Sequence, residues 1–336
     1  MTDLSDIGEF GLIHRFSRKF IKDLPEGVTG IGDDCAVLPH NERESLLFTT
    51  DMLIEDRHFL LDKTGPRELG IKSLAVNLSD IAAMGGEPHS AFLSIGITAG
   101  LQIAWLDDFF SGIRELCKTS GTLFLGGDTT RSPDRLVINI GVLGRVDPER
   151  VKLRSTAMPG DVIYVNDVVG DSAGGMRILV EDKPLYEDAS YLVRRHHLPR
   201  AHLEEGKWLA GRGEVHAMID LSDGIESDIR RIMESSACGA EIELSGVPVS
   251  GQLLRICETY RWDARETGIS GGEDYCLMFT VPEQHCSGLE KAYSEKFGTP
   301  VYRIGKITGD RENLEFTREG KKVTFGKHGW DHFKTE

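Results

Sequence analysis

"TLFLGGDTTRSPD" (residues 122–134) is an apolar run that leads into two glycines, an acid, two threonines and an arginine. The apolar part predicts a short buried strand, and the glycines free the backbone that follows it. Aspartate and threonine oxygens suit hard cations, and arginine pairs with phosphate. The segment is therefore either a simple turn or one wall of a site for metal and phosphate.

Similar acid-bearing turns recur along the chain. "GIGDDCAVL" (30–38) has adjacent aspartates, of which at most one faces a common site while the other bonds a turn. "TTD" (49–51) is predicted to leave a strand, and "IDLSDG" (219–224) opens a helix, where serine and aspartate are ordinary N-caps. Each turn has a structural explanation of its own. Together they favour a phosphoryl-transfer site, because Mg²⁺ is often shared between protein carboxylates and substrate phosphates.

Residues 67–86 predict a helix with a polar stripe on a mainly apolar surface. Ser73, Asn77 and Asp80 are spaced four and three residues apart and therefore share one face. A glycine pair ends the helix. Such a stripe is either exposed to solvent or satisfied by partners. Its short, oxygen-bearing side chains suit a fixed metal shell better than a solvent face, which usually carries lysine and glutamate.

Apolar strands alternate with amphipathic helices along the whole chain, which predicts an α/β fold. Near residues 147–160 the sequence becomes polar and contains two prolines. We therefore predict two α/β domains, residues 1–150 and residues 151–336, with loosely parallel glycine-acid turns after apolar strands.

Charge and composition exclude several classes of protein. The 336 residues carry a formal net charge of −15, whereas a nucleic-acid surface needs a basic face. No apolar run approaches the ~18 residues of a membrane span, and the acidic start lacks the apolar core of a signal peptide. The six scattered cysteines form no CxxC pair, which predicts free thiols in a reducing cytoplasm.

The familiar nucleotide-binding signatures are missing from the sequence. It contains no GxxxxGK[ST], dinucleotide GxGxxG, kinase HRD or DFG, or HExxH motif. "GDSAGG" (170–175) offers backbone N–H groups at a helix start, and Arg131 and Arg154 offer guanidinium groups to phosphate. If ATP binds, it therefore binds in another fold.

Seven segments follow one another in a specific order: "GIGDDCAVL", "TTDMLIEDRHF", "KSLAVNLSDIAAMGGEP", "GGDTTRS", "DLSDGIESDI", "SGGEDYCLMFTVP" and "GWDHF". Together they resemble the thiamine-monophosphate kinases of the aminoimidazole-ribonucleotide-synthetase-like ATP-binding superfamily. The resemblance covers nearly the whole chain, although single motifs recur in superfamily relatives. It implies two α/β domains, an N-terminal sheet that pairs across a homodimer, and a C-terminal domain that closes the cleft.

The resemblance also implies the residues of the site. Several Mg²⁺ ions would be held by Asp34, Thr49, Thr50, Asp51, Asp80, Asp128, Asp220 and Asp223, with Asp34 preferred to Asp33. ATP would contact Gly127, Asp128, Arg154 and Ser222. Thiamine monophosphate would contact His58, Glu273 and Trp330. On the residues alone, His58 is more typical of a surface or hydrogen-bonded histidine. Glu273 also suits a turn carboxylate, and Trp330 also suits an aromatic side chain that docks the tail on the domain.

The implied reaction moves the γ-phosphoryl group of ATP onto the phosphate of thiamine monophosphate. A phosphate monoester has a second pKa of about 6 and is mostly ionised at neutral pH, so it needs no general base. The barrier lies in aligning two polyanions, for which metal-binding aspartates are suited. We therefore expect direct transfer, without a phospho-enzyme and without a catalytic acid or base.

One segment departs from the family pattern, and rival functions share the scaffold. Residues 194–206, "RRHHLPRAHLEEG", keep only one of two expected Pro-Arg pairs, and we assign this loop no role. Selenophosphate synthetase would need a reactive residue beside a glycine-lysine stretch, which Cys35 lacks, and the hydrogenase-maturation dehydratase would need a C-terminal cysteine. Aminoimidazole-ribonucleotide synthetase is disfavoured by "GWDHF". A non-catalytic nucleotide or metal sensor would not need the full set of acids.

Overall fold

The computed structural model describes residues 4–324, except for the side chains of residues 4–6, 9, 10 and 18. The first half is a five-stranded sheet with strand order β1-β2-β5-β3-β4, antiparallel except for the β3–β4 pair. Its elements are α1 (Leu4–Ile21), β1 (Ala36–Asn41), β2 (Glu44–Ile54), α2 (Pro66–Ala83), β3 (Glu87–Ile97), α3 (Ile103–Ser120), β4 (Leu123–Arg131) and β5 (Val137–Val146).

The second half is a seven-stranded sheet with strand order β12-β11-β8-β10-β6-β9-β7. Its strands are β6 (Asp161–Val165), β7 (Met218–Asp220), β8 (Gly239–Glu243), β9 (Leu277–Pro282), β10 (Tyr302–Thr308), β11 (Leu314–Arg318) and β12 (Lys321–Val323). Its helices are α4 (Asp171–Val180), α5 (Glu187–His197), α6 (Leu203–Ala210), α7 (Ile225–Ser236), α8 (Gly251–Tyr260), α9 (Ala264–Ser270) and α10 (Cys286–Phe297), with 3₁₀ turns at Arg154–Thr156 and Glu283–His285. The mixed α/β architecture agrees with the predicted fold class.

The first sheet is covered by helices on one face and open on the other. Along β2, Leu47 and Leu53 are buried, whereas Phe48 and Met52 alternate with them and are about half exposed, at 46% and 51%. This alternation follows from the two-residue period of a strand. The open face matters for the site, because successive residues of β2 lie on opposite sides of the sheet.

Helix α2 lies between the two halves. One side of the helix packs on the first sheet, against β2 and β5. The helix also contacts α6 and β7 of the second half. Most of its residues, polar ones included, are buried. A helix that is buried on all sides is mainly apolar all round, so its polar residues need partners within the protein.

Helices α2 and α3 cross at close range through two glycines. A Cβ atom at Gly112 would lie 2.0 Å from the carbonyl oxygen of Arg67, and one at Gly70 would lie 2.0 Å from that of Phe109. The crossing therefore admits no side chain at either position.

The predicted helix at 67–86 is confirmed as α2, and the glycine pair ends it as expected. Gly85 has a φ of +73°, and the Gly86 N–H donates to the Ile81 carbonyl at 2.9 Å, which is a Schellman-type end. The alternating apolar stretches at 89–98 and 135–146 form most of β3 and β5.

Two details of the predicted strands are wrong. The run at 122–127 does form a strand, β4, but it is an exposed edge strand rather than a buried one, with Leu123 and Leu125 more than half exposed. The "TTD" segment does not leave a strand, because β2 continues to Ile54. Period-two patterning identifies a strand but does not show whether another layer covers it.

Residues 147–160 connect the last strand of the first sheet to the first strand of the second, and the domain boundary at 150/151 stays a prediction. All six cysteines are buried and free of disulfides. Among residues 4–324, none of the helices combines the length and the apolar character needed to cross a bilayer.

The α2–α3 crossing generates a stability prediction. Gly112→Ala should lower the free energy of unfolding by about 1–3 kcal/mol, because the added methyl group overpacks a backbone contact. Gly288→Ala in α10 is the matched control: that site is open, so a helical alanine should stabilise by up to about 1 kcal/mol. Urea unfolding measures both, and equal effects of the two substitutions would show that the crossing is not tight.

Candidate functional site

Three carboxylates from both halves converge beside α2. Asp34 precedes β1, Asp80 lies in the last turn of α2, and Asp220 ends β7. One oxygen from each lies within 4.8 Å of the others. Three carboxylate oxygens at this spacing form a ligand set suited to a hard divalent cation such as Mg²⁺. We call these three residues the carboxylate cluster.

Each carboxylate of the cluster is held by a neighbouring donor. The Thr49 hydroxyl donates to Asp80 Oδ2, and the Ser79 hydroxyl donates to Asp220 Oδ2 at 2.6 Å. The Arg154 guanidinium donates to Asp34 Oδ1 at 2.5 Å. These contacts fix the carboxylates and leave oxygens for a further ligand, because a carboxylate accepts several bonds.

Burial and repulsion by neighbouring carboxylates make Asp80 and Asp220 costly to ionise. Burial, followed by the charge of Asp51, raises the pKa of Asp80 well above its ordinary value. Burial and the charge of Asp34 raise the pKa of Asp220 in the same way. The adjacent Asp51 has its pKa raised to about 6, first by burial and then by Asp223 and Asp34. A bound cation would relieve this repulsion, so the donor set and the electrostatics both fit Mg²⁺.

The polar stripe of α2 faces the protein rather than solvent. Asn77 Oδ1 accepts the Asp51 N–H at 3.0 Å, and Asn77 Nδ2 donates to the Ser73 carbonyl. Ser73 is buried and its hydroxyl donates to the Leu69 carbonyl at 2.7 Å. Of the two interpretations of the stripe, the one with internal partners is therefore correct.

The adjacent aspartates Asp33 and Asp34 point to different partners. Asp33 accepts the Arg154 backbone N–H at 3.2 Å, and its pKa is raised to about 7 by burial and by Asp34. Only Asp34 belongs to the carboxylate cluster. Burial works against ionisation of the Arg154 side chain, but Asp34 and Asp33 raise its pKa overall, so the guanidinium stays charged.

The turn at 219–224 is not explained by ordinary capping. The N–H groups of Asp223 and Gly224 both donate to Asp228 Oδ2, at 3.1 Å each, so Asp228 inside α7 satisfies this helix start. Ser222 is half-buried in the same turn, and its carbonyl accepts the Glu273 N–H at 2.7 Å. Asp220, Ser222 and Asp223 thus line the junction without serving as the N-cap of α7.

The predicted metal ligands divide between the two faces of the first sheet. Thr49 and Asp51 lie on the helix-covered face, whereas Thr50 lies on the open face, where its hydroxyl accepts from Asn139 at 2.9 Å. Strand register aligns Asp128 with Ser94 and Asn139, residues of the open face. Asp128 is also three strands from β2, or about 14 Å at the usual spacing. Within one chain the structure does not bring Asp128 and Thr50 to the carboxylate cluster.

Two of the three residues predicted for the organic substrate lie close together. Lys72 Nζ lies 2.9 Å from Glu273 Oε2 and 3.4 Å from the His58 carbonyl oxygen. His58 Nδ1 accepts the Ile54 N–H at 3.0 Å, so its ring is oriented by the backbone. The third, Trp330, lies outside the described residues.

Several site residues were not predicted from the sequence. Lys72, Ser79 and Asp228 all contact predicted site residues. For Lys72 a signal existed, since a lysine within an apolar helical run needs a buried partner. Asp274 has its pKa raised to about 7 by burial and accepts the Gly170 and Ser172 N–H groups. The "GDSAGG" helix start is thus occupied by the protein's own carboxylate rather than open to phosphate.

The departing segment at 194–206 is tied into the second half. Arg200 pairs with Glu205, and His202 Nδ1 lies 3.1 Å from Asn166 Nδ2. In addition, His196 Nδ1 lies 3.2 Å from Glu273 Oε2, and His197 Nδ1 lies 3.3 Å from Glu68 Oε2 of the first half.

Comparisons with known proteins agree with this architecture. The chain matches the model of the AIR synthase related protein, N-terminal domain, over residues 32–146, and that of the C-terminal domain over residues 158–316. Thiamine-monophosphate kinase of Escherichia coli (strain K12) is 41% identical over 334 residues, covering 98% of this chain and 99% of its own. The Bacillus subtilis (strain 168) protein of the same name is 30% identical, covering 97% and 99%.

Solved structures give the same result. AaThiL complexed with AMPPCP and TMP superposes with a TM-score of 0.85 at 30% identity and covers 99% of both chains. The hydrogenase maturation protein HypE in complex with ATP superposes with a TM-score of 0.68 at 18% identity, covering 95% of this chain and 96% of its own. The second likeness shows a shared fold alone.

The repulsion in the carboxylate cluster generates a prediction about metal-dependent stability. Asp80→Asn should raise the melting temperature of the metal-free protein by about 2 °C, because one of the mutually repelling charges is removed. The same substitution should abolish most of the stabilisation by Mg²⁺, which arises from binding to the folded state. Thermal unfolding in EDTA and in excess MgCl₂ measures both effects.

The matched control for that experiment is Asp107→Asn, an exposed aspartate of α3. It should change neither melting temperature. An Asp80→Asn protein that keeps the full Mg²⁺ shift would exclude the cluster as the metal site.

Proposed function

Because the chain belongs to the thiamine-monophosphate kinase family of the AIR synthase related proteins, we propose that it transfers the γ-phosphoryl group of ATP to thiamine monophosphate. The products are thiamine diphosphate and ADP. The observation that carries this proposal is the carboxylate cluster at the junction of the two halves. A relative of the same fold complexed with AMPPCP and TMP supports the choice of substrates.

The proposed metal ligands form an inner and an outer group. Asp34, Asp80 and Asp220 form the inner group, with Thr49, Asp51 and Asp223 beside them. Thr50 and Asp128 form the outer group on the open face of the sheet. When bound, Mg²⁺ ions would neutralise phosphate charge and hold donor and acceptor in register.

The remaining polar residues bind and orient the substrates. Gly127, Asp128 and Ser222 are proposed to contact ATP, and Arg154 places a permanent positive charge beside the phosphates. His58 and Glu273 are proposed to contact the organic part of thiamine monophosphate, and the proposal extends to Trp330. An indole can stack on a flat cationic ring.

The chemistry needs no general base from the protein. The acceptor phosphate, with a second pKa of about 6, is already mostly ionised at neutral pH. The protein's task is therefore to align two polyanions while excluding competing geometries. We propose direct in-line transfer between the two substrates.

The open face of the first sheet supports the proposal of a homodimer. Phe48, Met52 and Phe92 expose 45–51% of their surface there, and the edge strand β4 exposes Leu123 and Leu125. An apolar patch of this kind on a sheet face is typical of a protein–protein contact. Six buried free cysteines support a reducing cytoplasmic location, and the net charge of −15 speaks against nucleic acid as a partner.

The central prediction concerns the reaction itself. Purified protein with ATP, Mg²⁺ and thiamine monophosphate should form thiamine diphosphate and ADP in equal amounts. Asp128→Asn should lower kcat/KM by at least about 100-fold, because it removes a proposed metal-holding carboxylate. Asp107→Asn should match the wild type. If ATP binds but no thiamine diphosphate forms, the proposal of an ATP-binding cleft stands and thiamine monophosphate is excluded as the acceptor.

Direct transfer is tested by looking for a phosphorylated protein. With γ-labelled ATP and Mg²⁺ but no thiamine monophosphate, we expect no label on the protein, since no side chain acts as nucleophile in the proposed reaction. Rapid quenching followed by intact-mass measurement would reveal a phosphorylated protein. A labelled species that forms and then transfers its phosphoryl group to the acceptor would contradict the mechanism.

The proposed dimer is tested by light scattering. The wild type should elute with the mass of two chains, and Phe48→Lys should shift it toward one chain, because it places a charge in the apolar open face. Val180→Lys, an exposed apolar site on α4, is the control and should remain dimeric. A monomeric wild type at assay concentration would remove the dimer from the proposal.

A further inference from the structure

We infer that Lys72 is a positioning residue for the organic end of the substrate, acting through Glu273. The inference rests on the proposed function and deepens it, because it adds a residue whose role is to set the orientation of a substrate-contacting carboxylate. Lys72 lies on α2 and its side chain is only 1% exposed. It therefore acts through its neighbours and not as a surface contact.

The contacts on Glu273 converge on one of its two oxygens. Lys72 Nζ lies 2.9 Å from Glu273 Oε2, and His196 Nδ1 lies 3.2 Å from the same atom. Within residues 4–324, no described contact reaches Oε1. Glu273 remains partly exposed, at 22%. With one oxygen fixed inside the protein, the other is left by these contacts to accept from an amino group or to lie against a cationic ring.

The surroundings of this contact are also fixed. The backbone of Glu273 has a φ of +64°, a conformation uncommon for a residue with a side chain. Its N–H donates to the Ser222 carbonyl, which ties it to the turn that carries Asp220. Burial lowers the pKa of His196 well below its ordinary value, so the imidazole is neutral and Lys72 is the cation of the group.

Helix α2 links this group to the carboxylate cluster. Lys72 and Asp80 are eight residues apart on one helix, which corresponds to about 12 Å at 1.5 Å per residue. Lys72 Nζ also lies 3.4 Å from the His58 carbonyl oxygen, so it joins two of the three proposed substrate residues. The helix thereby sets the distance between the metal-binding end of the site and the end that recognises the organic group.

A second lysine provides a matched control. Lys63 also joins the first half to the second, with Nζ lying 2.6 Å from both the Leu179 carbonyl oxygen and Asp182 Oδ1. These bonds reach neither His58 nor Glu273. If Lys72 only tied the halves together, substitutions at the two lysines would have the same kinetic consequences.

Steady-state kinetics test the inference. Lys72→Met should raise the KM for thiamine monophosphate about tenfold or more, with kcat and the KM for ATP changed less than about threefold. In a Glu273→Gln background the same substitution should add no further rise, because the effect passes through Glu273. Lys63→Met should leave both KM values unchanged.

Three results would overturn the inference: an unchanged KM for thiamine monophosphate in Lys72→Met, an equal rise for both substrates, or the same selective rise in Lys63→Met. Should Lys72→Met fail to fold, Lys72→Arg replaces it. The planar head group of arginine keeps the charge but cannot reproduce the contact of Lys72 Nζ with Glu273. A selective rise in the KM for thiamine monophosphate is therefore again expected, and its absence would overturn the inference.

The proposed function and this inference fail separately. A wild-type protein that forms no thiamine diphosphate would overturn the function. Calorimetric binding of thiamine monophosphate would then judge Lys72 alone: weaker binding by Lys72→Met but not by Lys63→Met supports the inference, and equal binding by all three proteins overturns it.

Discussion

Asp34, Asp80 and Asp220 repel one another, and the packing of the two halves must hold them together against that repulsion. Each carboxylate comes from a different part of the chain, and the fold holds them within 4.8 Å of one another. Ionising Asp80 and Asp220 without a cation is unfavourable, because burial and like charges both raise the pKa of each. The scaffold must therefore be stable enough from its other contacts to hold the group together.

Those other contacts are concentrated on α2. The helix is buried on nearly all sides, so each of its polar residues is satisfied by a specific partner: Asn77 by the backbone of β2, Ser79 by Asp220, and Lys72 by Glu273. One rigid element thereby orients groups from both sheets. The positions of the site residues are fixed by packing, because a tightly packed helix cannot rotate to expose its polar side chains to water.

The sequence predicts the α/β class, the helix at 67–86 and several of the strands, because periodicity and glycine ends are local signals. The exposure of β4 could not be predicted in this way, since an apolar run looks the same on an edge as in a core. The stripe of Ser73, Asn77 and Asp80 was visible in the sequence, but its partners were not. The pairing of Lys72 with Glu273 joins residues 201 positions apart, and no spacing rule reaches that far.

The alternation of β2 has a consequence for the chemistry. Thr49, Thr50 and Asp51 are consecutive, yet Thr50 faces the open side of the sheet while its neighbours face α2. A strand cannot present all three to one point, because its side chains alternate with a period of two. Asp128, in register with the open-face residues Ser94 and Asn139, shares the side of Thr50. The proposed ligands thus form two groups separated by the sheet, and substrate phosphates that engage both must reach around its edge or meet a surface supplied by another copy. The apolar residues on the open face are where such a copy would pack, so the features that favour a dimer lie beside the outer ligands.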